Sequence, residues 1–275
     1  IEEVTLFGWG EPTLHPQFEE ILKYLDKFSV KKYFVTNGMR LDKIKDWLFD
    51  YHVDIMAISL DGAKAETNNK IRVNSDLDFI VNQLKDIVKI KKERNLEYPY
   101  MNFVMTMFDR NIEELPDLIK LAAEIGLDEV KGVYLTVFSE NLLSETLYNQ
   151  KEKVEKIFNK AEKLAKELNI KLKLPYLQGE DIAKEKCHKD CFVAWRDFFV
   201  GSDGYIRPCQ SSAEKFFKFD KNMTFDEMWN CEKFQDYRSR VNNSNMLDEC
   251  KRCYQSSHAN WNKKSSFIQV GEEFA

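Results

Sequence analysis

The chain has six cysteines, and all of them lie between positions 187 and 253. Cys250 and Cys253 form a C-x-x-C pair, a spacing that lets two thiolates point at one metal. A predicted hairpin separates Cys191 from Cys209, so both thiols can meet at one end of that hairpin. The simplest predicted ligand set is therefore these four cysteines. Four thiolates suit either tetrahedral zinc or an iron–sulfur cluster, and the spacing does not separate the two.

The other two cysteines are interpreted differently. Cys187 could replace or supplement one of the four ligands. Cys231 lies on a predicted helix with aromatic neighbours, a setting typical of a buried free thiol. His188, which stands between two cysteines, is expected to be a loop residue rather than a ligand.

A second candidate site is built around one carboxylate, Glu11, in the sequence G-W-G-E-P at positions 8–12. Glycine lets a backbone come close to a ligand, and Glu11 is held between Gly10 and Pro12, which restricts its direction. An apolar run just before it predicts a buried strand, and a helix is predicted to begin near Pro16. The stretch therefore follows the C-terminal end of a strand, where barrel-like α/β folds bind ligands. The alternative is an ordinary turn with a solvated glutamate.

Polar or small residues follow two further predicted strands in the same way. Thr36 and Asn37 end one strand, and Ser59 and Asp61 end the next. Each of these segments alone is also typical of a simple turn. Their recurrence at equivalent places favours a ligand-binding rim at the C-terminal mouth of a barrel.

Strand-like and helix-like segments alternate along the first part of the chain. The predicted strands cover residues 4–7, 32–36, 54–60, 102–107, 130–137 and 170–174, with amphipathic helices between them. One of these helices is predicted to open at Ser75, and the next to carry a capping box of Asn111 and Glu114 and to stop at Gly126. The alternation predicts a parallel sheet with right-handed crossovers, which either curls into a partial or full (β/α) barrel or stays open as a doubly wound layer. The polar residues at successive strand ends favour the curled form, a partial barrel.

The pattern changes after the last of these strands. We expect a partial barrel over residues 1–174, a linker over 175–186 and a small cysteine-rich α+β domain over 187–275. That domain is predicted to contain a β-hairpin over 198–207 and an aromatic-rich helix over 225–237.

Composition and net charge indicate which classes of protein can be excluded. A net charge of −5 argues against nucleic acid as the main partner, since phosphate binding needs a basic face. There is no run of 18 apolar residues and no signal-peptide pattern, so we expect neither a membrane span nor secretion. Clustered cysteines in such a protein favour a metal site, and we expect a cytoplasmic location.

The order of these motifs resembles a known family. The succession Gly10-Glu11-Pro12, Thr36-Asn37-Gly38, I-S-L-D-G at 58–62 and Ile71-Arg72 resembles the core of radical S-adenosylmethionine (SAM) enzymes. The C-terminal part resembles the SPASM or twitch auxiliary-cluster domain through Cys191, Trp195, Asp203-Gly204, Pro208-Cys209, Trp229-Asn230 and the late Cys250/Cys253 pair. The resemblance spans nearly the whole chain.

The resemblance implies roles for individual residues. Glu11, with backbone near Gly10, would hold the amino group of the SAM methionine. Asn37 and Ser59 would lie near the ribose and the methionine moiety. Arg72 would pair with the SAM carboxylate, for which a fork-shaped guanidinium is suited.

One departure from the family pattern is important. The C-x-x-x-C-x-x-C loop that holds the catalytic 4Fe–4S cluster belongs upstream of the glycine motif and is absent from this sequence. We expect the chain to be a fragment that lacks this loop and the first strand, rather than a degenerate relative. Without that cluster the chain as given is expected to be inactive, because the cofactor carries the chemistry.

The resemblance implies an oxidoreductase or maturase in the full-length form. A 5′-deoxyadenosyl radical would abstract hydrogen from a peptide or small-molecule substrate, an auxiliary 4Fe–4S cluster would assist, and a flavodoxin or ferredoxin would donate electrons. Asp190, Asp197 and Asp203 are acid/base candidates only through their nearness to the predicted cluster. The alternative is a zinc-stabilised, non-catalytic binding protein on a degenerate scaffold. A dehydrogenase with an open sheet is a weaker alternative, because no G-x-G-x-x-G turn follows the first strand.

The predicted ligand set can be tested with two cysteine variants. Cys253→Ala should lose the C-terminal metal or cluster, whereas Cys231→Ala should retain it. Iron, sulfide and zinc are measured on anaerobically purified protein. About four irons with matching sulfide indicate a cluster, and about one zinc without iron indicates a structural site. Metal loss from the Cys231 variant would show that the fourth ligand was chosen wrongly.

Overall fold

The computed structural model describes residues 1–8, 10–135, 140–147, 150–175, 177, 191–210 and 212–250. The described residues fall into two compact units. The first consists of Ile1–Leu135 and Ser144–Pro175, and the second contains the remaining described residues.

The first unit is built on a six-stranded sheet in which every neighbouring pair is parallel. Its strands are β1 (Glu3–Leu6), β2 (Lys31–Thr36), β3 (Ile55–Ser59), β4 (Tyr100–Met107), β5 (Glu129–Tyr134) and β6 (Lys171–Lys173). The spatial order follows the chain order without reversal. This is the order of a (β/α) barrel, whereas the doubly wound sheet of a dehydrogenase reverses its order at a switch point. The predicted α/β class with a partial barrel is confirmed.

Helices connect the strands and cover one face of the sheet. They are α1 (Phe18–Leu25), α2 (Leu41–Asp50), α3 (Ala65–Ile71), α4 (Leu77–Glu93), α5 (Leu115–Ile125) and α6 (Lys151–Glu167), with 3₁₀ turns at Pro12–Leu14, Ile112–Glu114 and Glu140–Glu145. α1 begins two residues after Pro16, later than predicted. No helix in the described part of the chain is long and apolar enough to cross a membrane.

The main core lies between the helices and the sheet. Phe34, Met56, Ile58 and Phe103 on the strands are completely buried, as are Ile80, Leu84 and Ile87 on the inner stripe of α4. Burial alternates along β2 and over the last residues of β4 and β5, and the opposite face of the sheet carries a different set of side chains. That concave face contains most of the polar strand residues.

The predicted capping box of Asn111 and Glu114 is wrong. Asn111 is completely buried, and its Oδ1 accepts a hydrogen bond from the Phe108 N–H at 2.6 Å. Its Nδ2 donates to the carbonyl oxygens of Asp61 and Thr106, both at 2.9 Å. Asn111 therefore joins the loops that follow β3 and β4 instead of capping a helix.

Glu114 supports α3 rather than its own helix. Its carboxylate accepts hydrogen bonds from the N–H groups of Ala63 and Lys64, at 2.8 and 3.1 Å, and from the hydroxyl of Thr67. These donors lie in the loop before α3 and in its first turn, where N–H groups have no partner within the helix. A carboxylate from a distant part of the chain thus caps α3.

Two other helix ends were also predicted. α4 is capped by Asp76, whose Oδ1 accepts from the Phe79 N–H at 3.0 Å, so the helix opens one residue later than Ser75. Gly126 ends α5 in the left-handed conformation, at φ +92°, as predicted.

The second unit contains a three-stranded antiparallel sheet of β7 (Phe199–Val200), β8 (Tyr205–Arg207) and β9 (Phe217–Lys218). The predicted hairpin is confirmed by the pairing of β7 with β8. The helices are α7 (Val193–Arg196), α8 (Phe225–Trp229) and α9 (Glu232–Arg240), so the single predicted aromatic helix is wrong. The chain turns at Asn230 and Cys231, where Cys231 adopts an extended conformation ahead of α9.

The cap that Glu114 provides for α3 should stabilise the folded state. Glu114→Ala removes the acceptor for three donors and should lower the free energy of unfolding by about 1–3 kcal/mol. Glu113→Ala is the matched control, because the Glu113 side chain is 77% exposed; it should change the free energy by less than about 0.5 kcal/mol. Denaturant unfolding measures both values. Equal effects of the two variants would show that the cap does not stabilise α3.

Candidate functional site

The carboxylate of Glu11 joins the loop after β1 to the end of β2. Its Oε1 accepts hydrogen bonds from the N–H and hydroxyl of Thr13, at 3.1 and 2.7 Å, and from the hydroxyl of Thr36 at 2.7 Å. Its Oε2 accepts from the N–H of Asn37 at 2.6 Å. The direction of this carboxylate is therefore set by four donors, and only part of that restriction was predicted from the flanking glycine and proline.

The turn after β2 is itself tightly held. Asn37 Oδ1 accepts from the Met39 N–H at 2.9 Å, and the hydroxyl oxygen of Thr36 accepts from the Gly38 N–H at 3.1 Å. Gly38 has φ +80°, and a Cβ there would lie 3.1 Å from the side chain of Ile80. The positive φ favours glycine at this position, and a Cβ would also crowd the Ile80 side chain.

The strand register brings the predicted rim residues to one edge of the sheet. β1, β2 and β3 are successive neighbours, with Leu6 paired to Phe34 and Thr36 paired to Ile58. Their C-terminal ends therefore lie side by side and place Gly10, Glu11, Asn37 and Ser59 at the same edge. Gly10 has φ +131°, a conformation that favours glycine. Trp9 lies outside the described residues.

Arg72 is held at the same edge of the sheet by Asp61, a partner that was not predicted from the sequence. It follows the last residue of α3, and its Nε lies 2.8 Å from Asp61 Oδ2. Asp61 is 4% exposed, and its Oδ1 accepts from the Thr106 N–H at 2.7 Å. Burial raises the pKa of Asp61 above its ordinary value, while Arg72 and the Thr106 hydrogen bond act in the opposite direction. The only signal in the sequence was that Asp61 comes directly after a strand.

Three of the four predicted metal ligands are described, and all three are half-buried thiols. Cys191 and Cys250 pack against the apolar cluster of the second unit, which is formed by Ala194, Ile206, Phe216, Phe234, Tyr237 and Val241. Cys191 is fixed by Asn242, whose Oδ1 accepts from the Cys191 N–H at 2.7 Å. Cys209 follows β8 by two residues.

Cys253, the fourth predicted ligand, lies outside the described residues, and so do Cys187, His188 and Asp190. Within the described residues, no three His, Cys, Asp or Glu side chains are grouped so that they could hold a metal ion. Cys231 is also half-buried against the apolar cluster, although the turn before α9 and not a helix carries it.

Family comparisons identify both parts of the chain. Residues 2–122 match the radical SAM superfamily, and residues 191–254 match SPASM, described as an iron–sulfur cluster-binding domain. Over residues 2–122 the chain belongs to the radical SAM superfamily, and over residues 191–254 it matches the SPASM domain. SAM and 4Fe–4S clusters are the cofactors that these two domain types imply, which favours a cluster over zinc at the cysteines.

Two curated relatives show the range of similar proteins. The tungsten-containing aldehyde ferredoxin oxidoreductase cofactor-modifying protein of Pyrococcus furiosus is 22% identical over 205 residues, which cover 74% of this chain and 55% of that protein. The mycofactocin maturase MftC of Mycolicibacterium smegmatis is 32% identical over 122 residues, which cover 43% of this chain and 29% of the maturase. The chain therefore spans about half, or less, of the length of these relatives.

Solved structures share the fold of this radical SAM protein. Streptococcus suis SuiB bound to S-adenosylmethionine superposes with a TM-score of 0.69 at 14% identity, covering 98% of this chain and 65% of SuiB. anSMEcpe with bound AdoMet and Kp18Cys peptide gives a TM-score of 0.60 at 16% identity, covering 92% of this chain and 73% of that one. The partial barrel therefore has the same fold as these two structures.

The residues of this radical SAM protein fit the implied cofactors chemically. Glu11 and Arg72 supply opposite charges at one edge of the sheet, which suits the ammonium and carboxylate of a methionine moiety. Cys191, Cys209 and Cys250 supply soft thiol donors at half-buried positions, which suits iron–sulfur ligation.

Asp203 of the SPASM domain does not suit an acid/base role. Its carboxylate accepts from both terminal nitrogens of Arg207, each at 2.8 Å, and forms an ion pair with Lys215 at 2.8 Å. These partners hold the pKa of Asp203 far below its ordinary range. The Arg207 side chain is 2% exposed, and a Cβ on Gly201 would collide with it, so the hairpin closes over this arginine. The pair shapes the hairpin that precedes Cys209.

The Asp203–Arg207 pair predicts a pH-dependent stability. Asp203→Asn should lower the Tm at pH 7, because a buried guanidinium loses its carboxylate partner. Because the folded pKa of Asp203 is depressed, its contribution is complete above an unfolded value of about 4 and is lost as the pH falls below it. The Tm difference from the unaltered protein should therefore shrink between pH 5 and pH 3.

The control for this experiment is Asp197→Asn, which removes a carboxylate from the exposed Arg196 pair. It should change the Tm little at any pH. Thermal unfolding of the three proteins over this pH range gives the comparison. A Tm difference for Asp203→Asn that persists or grows in acid would contradict the assignment.

Proposed function

We propose that the complete protein is a radical SAM oxidoreductase or maturase that modifies a peptide or small-molecule substrate. The observation that carries this proposal is the pair of fixed opposite charges, Glu11 and Arg72, at one edge of the parallel sheet. In the complete enzyme, SAM and a reduced catalytic 4Fe–4S cluster would supply a 5′-deoxyadenosyl radical that abstracts hydrogen from the substrate.

Glu11 is proposed to receive the ammonium group of SAM. Each carboxylate oxygen can accept more than one hydrogen bond. Within the described residues Oε1 accepts three hydrogen bonds, whereas Oε2 accepts from Asn37 alone. Oε2 therefore has room for an ammonium donor, and the donors around Oε1 keep it in place. The backbone near Gly10 would approach the same group.

Arg72 is proposed to bind the SAM carboxylate. Asp61 engages Nε at one edge of the guanidinium, so the terminal nitrogens are the groups proposed for the ligand. Asp61 is itself held in place, because it is buried and accepts a hydrogen bond from the Thr106 N–H. Asn37 and Ser59, at the ends of β2 and β3, would border the ribose and the methionine chain.

Cys191, Cys209, Cys250 and Cys253 are proposed to hold the auxiliary cluster, which would accept an electron from the substrate or help to position it. Solved relatives support a peptide substrate, since SuiB has been crystallised with its precursor peptide SuiA and anSMEcpe with a peptide. A flavodoxin or ferredoxin is proposed as the electron donor. Similarity to the mycofactocin maturase supports a maturase over other oxidoreductases.

The SAM assignment is tested by SAM affinity, measured by isothermal titration calorimetry on the complete protein. Glu11→Ala should weaken SAM binding at least about tenfold, because one charge-assisted hydrogen bond is lost. Glu20→Ala, which removes an exposed glutamate from α1, should leave the affinity unchanged.

A third variant separates charge from local structure. Thr36→Val removes one donor to Glu11 and keeps the carboxylate. It should reduce SAM affinity much less than Glu11→Ala, while circular dichroism shows all three variants folded. Unchanged affinity in Glu11→Ala would refute the assignment, and equal losses in Glu11→Ala and Thr36→Val would show a purely structural role.

A further inference from the structure

A buried hydroxyl organises the turn that follows Cys209 in the second unit. Ser212 is 4% exposed, and its N–H donates to the carbonyl oxygen of Cys209 at 3.3 Å. Its Oγ accepts a hydrogen bond from the N–H of Glu214 at 3.1 Å. These two contacts fold the chain into a turn after Cys209, and Ser212 lies at the centre of that turn.

The same hydroxyl contacts the segment that carries Cys250. Ser212 Oγ donates to Glu249 Oε2, and Glu249 directly precedes Cys250 in the chain. A hydroxyl can accept from its own turn and donate to a distant carboxylate at once, because it is both an acceptor and a donor. The two partners are 37 positions apart in sequence. One hydrogen bond, the Ser212–Glu249 link, therefore joins the segments that carry Cys209 and Cys250.

A second polar side chain holds the backbone of Cys191. Asn242 Oδ1 accepts from the Cys191 N–H at 2.7 Å, and Asn242 Nδ2 donates to the Cys191 carbonyl oxygen at 3.4 Å. Asn242 follows the end of α9 and has φ +69°, a conformation that asparagine adopts more readily than most residues. The segment 242–250 thus carries Cys250 itself and the partners of the segments around Cys191 and Cys209.

Contacts of this kind matter for metal binding because they act before the metal is bound. Side chains that hold ligand residues in place typically change metal affinity about 10–100-fold when they are altered. Cys191 and Cys250 also pack against the same apolar cluster, so apolar and polar contacts hold these two segments together. The Ser212–Glu249 link adds the segment of Cys209 to them.

We propose that Ser212 and Glu249 are positioning residues for the auxiliary cluster, which keep the segments of Cys209 and Cys250 side by side for ligation. The assignment to a cluster rests on the proposed function, because the ligand role of these cysteines is itself proposed. Glu249 also places a carboxylate next to a ligand residue. A negative charge near a cluster disfavours its reduction, so Glu249 should lower the reduction potential of the cluster.

Removal of iron by a chelator tests the positioning role on the 275-residue chain, reconstituted anaerobically. All six cysteines of this chain lie between positions 187 and 253, so cysteine-bound iron reports on the C-terminal site. In Ser212→Ala and in Glu249→Ala, the bathophenanthroline concentration that removes half of the iron in a fixed time should fall about tenfold. Glu249→Gln keeps an acceptor for the hydroxyl and should remain close to the unaltered chain.

Two further variants show that the effect belongs to the Ser212–Glu249 link. Ser239→Ala is the matched control, because the exposed Ser239 hydroxyl donates to the Asp236 carbonyl oxygen within α9, at 2.7 Å. It should leave iron retention unchanged. The effect of the double variant Ser212→Ala/Glu249→Ala should fall well short of the product of the two single effects, since both changes remove the same hydrogen bond. Circular dichroism shows whether each variant is folded.

The reduction potential gives a readout that a purely structural role would not change. Glu249→Gln removes the charge and keeps the acceptor, so the midpoint potential should move to a more positive value while iron stays at about four per chain. Glu232→Gln, which changes an exposed glutamate on α9, should leave the potential unchanged. An anaerobic titration followed by electron paramagnetic resonance measures both.

The proposal is overturned if Ser212→Ala and Glu249→Ala retain iron like the unaltered chain, or if Ser239→Ala loses it equally. An unchanged potential in Glu249→Gln would refute the electrostatic effect of Glu249. A normal cluster in every variant would leave the auxiliary cluster standing and refute the positioning role alone. About one zinc in place of iron would refute the cluster, and faster zinc release from Ser212→Ala would then still support the positioning role.

Discussion

The hydrogen bonds to the Glu11 carboxylate join two strand ends, and the geometry of the predicted SAM edge depends on them. The donors come from Thr13 after β1 and from Thr36 and Asn37 at the end of β2, so one side chain sets the distance between two loops. This is possible because β1 and β2 are parallel neighbours whose C-terminal ends lie at the same edge.

Carboxylate–guanidinium pairs serve two different purposes in the two units. Asp61 is buried behind the sheet edge and holds Arg72 where a ligand carboxylate could be bound. Asp203 is partly exposed, and the arginine that it binds is the buried member, enclosed by the hairpin before Cys209. In the first case the buried carboxylate holds the arginine at the proposed SAM edge. In the second it stabilises the segment that carries a proposed cluster ligand.

The two faces of the sheet carry different kinds of side chain. The helix-facing side is a continuous apolar core that includes Phe34, Ile58 and Phe103. The concave side carries Glu129, which forms ion pairs with Lys171 and Lys173 of β6. Burial of apolar side chains on the helix-facing side therefore provides most of the stability. The polar side chains of the concave side are able to bind polar ligands.

The sequence by itself determined the strand and helix alternation, the hairpin, the Gly126 stop and the family, because each depends on local periodicity or on short motifs. It also located Glu11, Asn37 and Ser59 after strands that prove to be neighbours. Only the tertiary structure paired Asp61 with Arg72 and Glu114 with α3. It likewise broke the aromatic helix at Asn230 and Cys231. The cap on α3 depends on a contact between residues 51 positions apart. Such contacts are not visible in local sequence patterns and override local capping preferences.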